Sequence, residues 1–469
     1  MPKAGISRGD FLKGAAAFTL GGWQVMVAPP GWKSPRTPKL VFGVLADTHL
    51  RISRTGGYDA KNWPNTYLVA ALRHFRNANV DAVVHCGDMA DRGVVEEMQF
   101  HADAWRTAFP DGCAADGRKV EKLFVNGNHD VEGGDYGTGF RVEQVWPDAD
   151  ERASHLLSTD MAGNWERIWG EKYEPVWHKE VKGYHFFGMS WGADEGELKS
   201  LIDSRSAECG LEDGGKPFFF ISHDRTHDAF NEGVKNYRNA FGLWGHWHQS
   251  AANWNTVQML AGTIPSVQCP ASYPYFNNGE WLGGGDEGIS KAPLEGELQG
   301  GKWRQGLVVR VYDDMLTIER REFSEGGRLG ADWVMPFGKN PHPFSKDELK
   351  KAIGEPQFGK NAELKIESVK FESGEDSVKV SIPLADGNPK SRVYAYDVAV
   401  QGDEPDGTLY KSVYAAGCNM GIVCAPDKRV TILEIPVSEL PSGKTLAITV
   451  RPLTSLGTYG RAIAAEFQA

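Results

Sequence analysis

Apolar positions along this chain fall into short unbroken runs, each closing on a polar cluster. Lys39 to Ala46, Asp81 to Cys86 and Leu123 to Asn126 are apolar and β-branched enough to predict buried strands. Between them, Thr66 to Asn77 carries Leu68, Val69, Leu72 and Phe75 at helical spacing. Val94 to Phe109 brings Val95, Met98, His101 and Trp105 roughly to one side of a second predicted helix. A strand–helix–strand–helix–strand order implies right-handed crossovers and a parallel sheet. Ligand sites in such sheets lie at the carboxyl ends of the strands.

From Gly133 to Gly183 the chain is rich in Trp and acid, with one helix predicted around Ala153 to Trp169. Tyr184 to Trp191 reads as a strand and Glu197 to Cys209 as a helix. Phe218 to Ser222, Ala240 to Trp244 and Val257 to Gly262 read as further strands. Pro270 to Lys302 is long and Gly-rich and carries Tyr273, Tyr275, Phe276 and Trp281. Loops of this length are usually functional or disordered, and the aromatics make this one a candidate specificity element. Leu307 to Phe323 predicts a hairpin turning at Asp313-Asp314. Residues 324–358 read as a Gly- and Pro-rich linker with one short helix near Lys346 to Ile353. After it the period changes to two: Val378, Val380 and Ile382, then Tyr394, Tyr396, Val398 and Val400, then Leu446, Ile448 and Val450. That alternation predicts an antiparallel sandwich.

Composition adds limits. With 469 residues, more than one domain fits. A formal net charge of -11 argues against nucleic-acid backbone binding. No segment is long and apolar enough to span a membrane as a helix. Ser7-Arg8-Gly9-Asp10-Phe11-Leu12-Lys13 precedes an uncharged, mostly apolar run from Ala15 to Ala28 that suits a signal segment. The heptapeptide resembles a twin-arginine export signal with Gly9 in the second Arg position, so a periplasmic or extracellular location is expected. None of the six cysteines forms a Cys-x-x-Cys pair, which argues against a zinc ribbon. Cys418 and Cys424 read either as a bridge in an exported protein or as two small buried thiols. Cys86 reads as a core residue.

Five clusters carry the chemistry: Asp47-Thr48-His49, Gly87-Asp88-Met89-Ala90-Asp91-Arg92-Gly93, Gly127-Asn128-His129-Asp130, Ser222-His223-Asp224 and Gly245-His246-Trp247-His248. Each follows a strand-like run. Together they offer two Asp, one Asn and four His as potential metal ligands, with His129 left over. An imidazole, carboxylate and amide inventory suits zinc, iron or manganese and is less suited to calcium.

The set Asp-x-His, Gly-Asp-x-x-Asp, Gly-Asn-His-Asp, His and Gly-His-x-His, in this order, resembles the calcineurin-like metallophosphoesterase superfamily over residues ~39 to ~323. The resemblance implies an α/β (α+β) β-sandwich flanked by helices. It implies two divalent ions (Mn, Fe or Zn), one held by Asp47, His49, Asp88 and His248 and one by Asp88, Asn128, His223 and His246, with Asp88 bridging. It further implies in-line hydrolysis of a phosphomonoester or phosphodiester by a metal-bridging hydroxide. Catalytic assistance is expected from His129 as acid, oriented by Asp130 unless Asp130 caps a turn. Asn128, Arg92 and His223 are the candidate substrate-binding residues, Arg92 by analogy with the Ser/Thr protein phosphatase branch or else in a surface ion pair. That branch's Arg-Gly-Asn-His-Glu block is absent, and the metal-bound Tyr of purple acid phosphatases has no counterpart after Asp88. Val450 to Gly457 resembles the last turn of a fibronectin type III domain.

The expected organisation is therefore a leader over 1–35, a catalytic domain over 36–323, a linker over 324–358 and an all-β immunoglobulin/fibronectin-like sandwich over 359–469. The expected substrate is a small-molecule or head-group phosphate ester. The C-terminal sandwich is either an interaction module or a structural cap. The rival reading of the whole chain is a non-catalytic binding protein on the same scaffold.

Overall fold

A computed structural model describes residues 26–27, 36–57, 63–132, 141–261, 264–270, 290–295, 304–324, 327–329, 332–337, 346–370, 376–388, 391–403, 407–418 and 430–468. The leader (Met26–Val27 apart), the aromatics from Tyr273 to Trp281 and Cys424 lie outside them. Among the described residues, no helix is long and apolar enough to cross a membrane.

The chain begins its described part with strands β1 (Met26–Val27), β2 (Leu40–Leu45), β3 (Ala82–Cys86) and β4 (Glu121–Val125). Helices α1 (Trp63–Asn77) and α2 (Val95–Ala108) connect β2 to β3 and β3 to β4. Strands β2, β3 and β4 are parallel, as their alternation with helices requires. The predicted hairpin forms from β12 (Gln305–Val311) and β13 (Met315–Glu322), and β12 pairs antiparallel with β2. With β14 (Gly327–Arg328) on β13 and β15 (Trp333–Pro336) beyond it, the first sheet runs β1-β15-β13-β12-β2-β3-β4.

A second sheet runs β5-β6-β7-β8-β10-β9: β5 (Val176–Val181), β6 (Tyr184–Met189), β7 (Phe218–Ile221), β8 (Ala240–Trp244), β9 (Val257–Leu260) and β10 (Ile264–Gln268). Its strands β6, β7, β8 and β10 are parallel. The two sheets enclose one core in which Phe42 and Val84 of the first meet Phe186, Phe219 and Phe241 of the second. Phe42 stands edge-on to Phe186 and Phe219, with ring centroids 5.4 and 5.0 Å apart. Such aromatic pairs contribute ~0.5–1.5 kcal/mol each beyond area burial. Leu68, Leu72 and Phe75 of α1, with Met98 and Trp105 of α2, cover the outer face of the first sheet. The order of layers is helix, sheet, sheet, helix.

Two local expectations are corrected, and two strands are added. Residues 324–358 are not all linker, because β14 and β15 complete the first sheet and Trp333 is fully buried there. The helix expected over 153–169 is two: Ala149–His155 and Met161–Trp169, the latter begun by Asp160, whose side chain accepts from Gly163 N. Strands β5 and β10 are additions. Val176 to Val181 alternates too weakly to read as a strand, and Ile264 to Gln268 contains Pro265, which argues against one from sequence.

C-terminal to Gly354, β16 (Lys365–Lys370), β17 (Asp376–Ile382) and β20 (Thr431–Pro436) form a three-stranded antiparallel sheet. β18 (Ala395–Gly402), β19 (Thr408–Tyr414), β21 (Thr445–Leu453) and β22 (Ile463–Gln468) form a second, which β11 (Leu294–Glu295) joins at its β19 edge. The two share a core of Val378, Val380, Ile382, Tyr396, Val398, Ile448 and Val450. This unit is welded to the first. Leu456 is buried in the inter-sheet core with Trp254 and Trp333. Ser455 accepts from Trp254 N through its hydroxyl (3.0 Å) and from Asn255 Nδ2 through its carbonyl (2.9 Å).

Candidate metal centre

Five parallel strand ends from the two sheets converge on one edge of the sandwich. β2 delivers Asp47 and His49, β3 delivers Asp88, β4 delivers Asn128, β7 delivers His223, and β8 delivers His246 and His248. All but His246 and His248 are buried, and those two are half-buried. Asp47, His49, Asp88, His246 and His248 all hold positive φ (50°, 43°, 55°, 70° and 49°). A non-glycine residue in that region is uncommon, and such backbone strain gathers at functional sites.

The donor atoms fall into two groups around Asp88. In the first, ligand atoms of Asp47, His49, Asp88 and His248 lie within 4.8 Å of one another. The Nε2 atoms of His49 and His248 are 3.1 Å apart, and His248 Nε2 is 3.3 Å from Asp47 Oδ1. In the second, His223 Nε2 lies 3.1 Å from Asp88 Oδ2 and 3.0 Å from Asn128 Oδ1. His246 Nδ1 lies 3.1 Å from the same Asn128 oxygen and 3.2 Å from His223 Nε2. Nitrogen–metal bonds of about 2.0–2.1 Å place two nitrogens of one shell roughly 2.9–3.4 Å apart, so the spacing and the donor types fit two cations that share Asp88. Glycine makes the close approach feasible. Gly87 has φ 92°, and a Cβ there would lie 2.5 Å from His223 Nδ1. A Cβ on Gly127 would collide with the Asp88 carboxylate.

Electrostatics divides the imidazoles. Burial opposes ionisation of Asp88, but His223 and then His49 outweigh it and hold the carboxyl well below the usual range. His223 is pushed up to about 10: burial pulls the other way, and Asp88 overrides it. His49 is pulled down to about 4 by burial, which Asp91 and Asp88 only partly offset. Further hydrogen bonds set ring orientation. His223 Nδ1 lies 2.7 Å from the Cys86 carbonyl, so that Nδ1–H donates there and Nε2 faces the cluster.

His129 lies beside this centre, its ring edge-on to His49 at 4.5 Å. Its Nδ1 is 2.7 Å from the Asp91 carbonyl. Of the two readings of Asp130, the structure shows the turn cap. The Asp130 carboxylate accepts from the backbone amides of Met89, Ala90 and Gly127 at 3.2, 2.8 and 2.9 Å. Asp130 thus braces the turn that presents Asp88, and burial followed by Asp88 pushes its carboxyl up to about 7.

The surface ion pair, one of the two readings of Arg92, is corrected. It is buried, so it is not a surface ion pair. Its guanidinium Nη1 meets Asp91 at 2.8 Å and Glu97 at 3.8 Å. Glu97, which no motif marks, accepts from the amides of Ile52, Asp91 and Arg92. Asp91 carries no expected role of its own, yet its carboxylate meets His49 Nδ1 at 3.3 Å and Arg51 Nε at 2.9 Å. The signal available was its place in Gly-Asp-x-x-Asp. Asp224 turns outward to accept from Trp247 Nε1 at 2.9 Å, while Arg225 pairs with Asp228 and His227 with Glu195. Trp247, between two cluster histidines, is 54% exposed.

Residues 40–250 match the family model described as Calcineurin-like phosphoesterase, so a domain of that kind spans these strand ends. No curated protein matched the chain. Among solved structures, the chain is similar to a dimetal phosphatase from Danio rerio (11% identity, TM-score 0.37, covering 64% of this chain and 100% of that one). It is also similar to a purple acid phosphatase from yellow lupin (12% identity, TM-score 0.39, 66% and 55%). A third is a 5'-nucleotidase precursor from Thermus thermophilus (12% identity, TM-score 0.30, 67% and 57%).

Proposed function

We propose that this chain is a hydrolase of phosphate esters that works with two divalent cations. Asp47, His49, Asp88 and His248 hold one, and Asp88, Asn128, His223 and His246 hold the other. The observation that carries this reading is the convergence of those seven side chains, five of them on strained backbone, with their donor atoms turned inward around Asp88. Cations bound there would supply Lewis acidity to a phosphoryl oxygen and bring the pKa of water close to neutrality. The protein's own residues do the rest. Asp91 holds the His49 ring, and the Cys86 carbonyl holds the His223 ring. His129 donates its Nδ1–H to the Asp91 carbonyl, and in the doubly protonated imidazolium form its Nε2–H would pass a proton to the leaving-group oxygen, leaving the Nδ1–H neutral ring. Trp247 and Trp191 supply aromatic surface at the rim, where a base, sugar or aryl leaving group would rest. The substrate is a phosphomonoester or diester of a nucleotide, head group or glycan, met outside the cytoplasm if the leader directs export. The C-terminal sandwich, read as fibronectin-like, acts as a cap on the catalytic domain, a role its buried Leu456 supports.

The test strips the protein of metal and reloads it with manganese, zinc or iron. Hydrolysis of p-nitrophenyl phosphate is then compared with that of bis-p-nitrophenyl phosphate. Activity restored by metal and abolished by Asp88→Asn, together with lost metal, is the expected result. Asp88→Asn with unchanged turnover would overturn the assignment. Failure of the wild type to bind metal would favour the scaffold reading instead.

A further inference from the structure

A second group of metal-ligating side chains lies at the other end of the second sheet. His178 on β5 and His185 on β6 are diagonal neighbours across the β5–β6 hairpin: His178 pairs with Phe187, and Glu180 with His185. Two residues so placed share one face of the sheet. That face is covered by helix α7 (Glu195–Arg205; the intervening short helices at Asn128–Glu132, Val142–Val145, Ala149–His155 and Met161–Trp169 count as α3 to α6). Leu198 and Ile202 of α7 pack there with Phe187. Cys209 follows α7, and its amide donates to the Arg205 carbonyl at 2.8 Å.

His178 Nε2 and His185 Nδ1 lie 3.1 Å apart, and Cys209 Sγ lies 3.8 Å from His178 Nε2. The three ligand atoms lie within 4.8 Å of one another, and each residue is half-buried. We propose that His178, His185 and Cys209 form a zinc-type metal site separate from the catalytic centre, with its fourth position open to water or to Glu180. Two imidazoles and one thiolate are borderline-to-soft donors that suit zinc, and an open fourth position is common in three-ligand sites. Zinc–nitrogen bonds of about 2.0–2.1 Å and zinc–sulfur bonds of about 2.3 Å in a tetrahedron place these atoms roughly 3.3–3.6 Å apart, close to the separations found. His178 is held for this role by stacking on Phe187, centroid to centroid 4.6 Å.

The site is independent of the first. On β6, His185 lies four residues before Met189, a reach of roughly 13 Å at strand spacing, and the chain comes to Trp191, whose ring lies beside His246, only beyond that end. A cation here ties the C-terminal end of α7 to the β5–β6 hairpin. That clip strengthens the outer edge of the sheet that presents His223, His246 and His248, without entering the chemistry. Metal binding adds stability because the unfolded chain lacks the arrangement.

The thiolate makes the site testable apart from the catalytic centre, whose donors include no sulfur. Metal-free full-length protein is titrated with Co2+ alone, with cobalt content per chain and near-ultraviolet absorption recorded. The wild type is expected to show a thiolate-to-cobalt charge-transfer band and to bind one cobalt more than Cys209→Ser or His185→Gln. Both variants should lose the band and the part of the metal-induced rise in Tm that the wild type shows, while phosphoesterase turnover stays unchanged. A wild type without the band, or three proteins with equal cobalt content, would overturn the proposal and leave the two histidines joined by a hydrogen bond only. Persistence of the band in Cys209→Ser would overturn it as well, since the sulfur would then belong to another cysteine.

Discussion

His49 and Asp91 meet ring nitrogen to carboxylate, Nδ1 to Oδ1 at 3.3 Å, on the side of the ring facing away from His248. Arg51 and Arg92 grip the same carboxylate, so it is fixed before any ligand arrives. A carboxylate behind a ligating imidazole sets its tautomer and basicity. Asp91→Asn is therefore expected to lower metal affinity about 10- to 100-fold while leaving the circular dichroism of the fold in place. Metal content after graded chelation measures this. An Asn variant that retains metal as the wild type does would reduce Asp91 to a structural brace.

His129 offers a different test. Its ring Nδ1 is tied to the Asp91 carbonyl. His129→Ala should keep both cations and slow poor leaving groups by about 10²- to 10⁴-fold. Activated aryl esters, which need little protonation, should fall much less. Linear free-energy plots against leaving-group pKa decide: an unchanged slope means that His129 gives no proton.

Acid sensitivity should trace in part to His101. Its ring is buried between His85, Phe124 and Trp169, and neither nitrogen finds a hydrogen-bond partner among the described residues. Burial pulls its pKa from 6.5 down to about 3. The unfolded chain then takes up a proton that the native state refuses. The stability from this residue is complete above pH 6.5 and is lost as pH falls from there toward 3. Between pH 7 and pH 5 the loss amounts to about 2 kcal/mol. His101→Leu should flatten the fall in Tm over that interval, and scanning calorimetry at the two pH values would show whether it does.

Leu456 joins the C-terminal sandwich to the catalytic core. Its side chain is buried in one cluster with Trp254 and Trp333, although it sits in the turn between β21 and β22 of the other unit. Leu456→Ala should cost ~2–4 kcal/mol and lower the single transition of the whole chain. Deleting residues 359–469 should then give aggregated, inactive material. A truncated protein that stays monomeric with full turnover would make the sandwich a recruitment module.

The sequence by itself determined where the chemistry sits along the chain. An apolar run that ends in Asp-x-His, Gly-Asp, Gly-Asn-His or Gly-His-x-His is a local pattern, since a buried strand excludes polar groups and must surrender them at its end. The parallel order of β2, β3 and β4 was legible for the same reason, because helices alternate with these strands. What Arg92 and Asp130 do was decided only by the tertiary structure. Each lies beside a metal-cluster residue in sequence, yet side-chain direction depends on which buried amides and carboxylates need a partner, and those of Glu97, Asp91 and the 88–90 turn claimed them. Trp333 entered the first sheet, despite a Gly- and Pro-rich setting, because packing against Trp254 and Leu456 buries it. His178, His185 and Cys209 show the same division: the first and last stand 31 positions apart, no spacing announces them, and only the hairpin register and the return of α7 bring their donor atoms together.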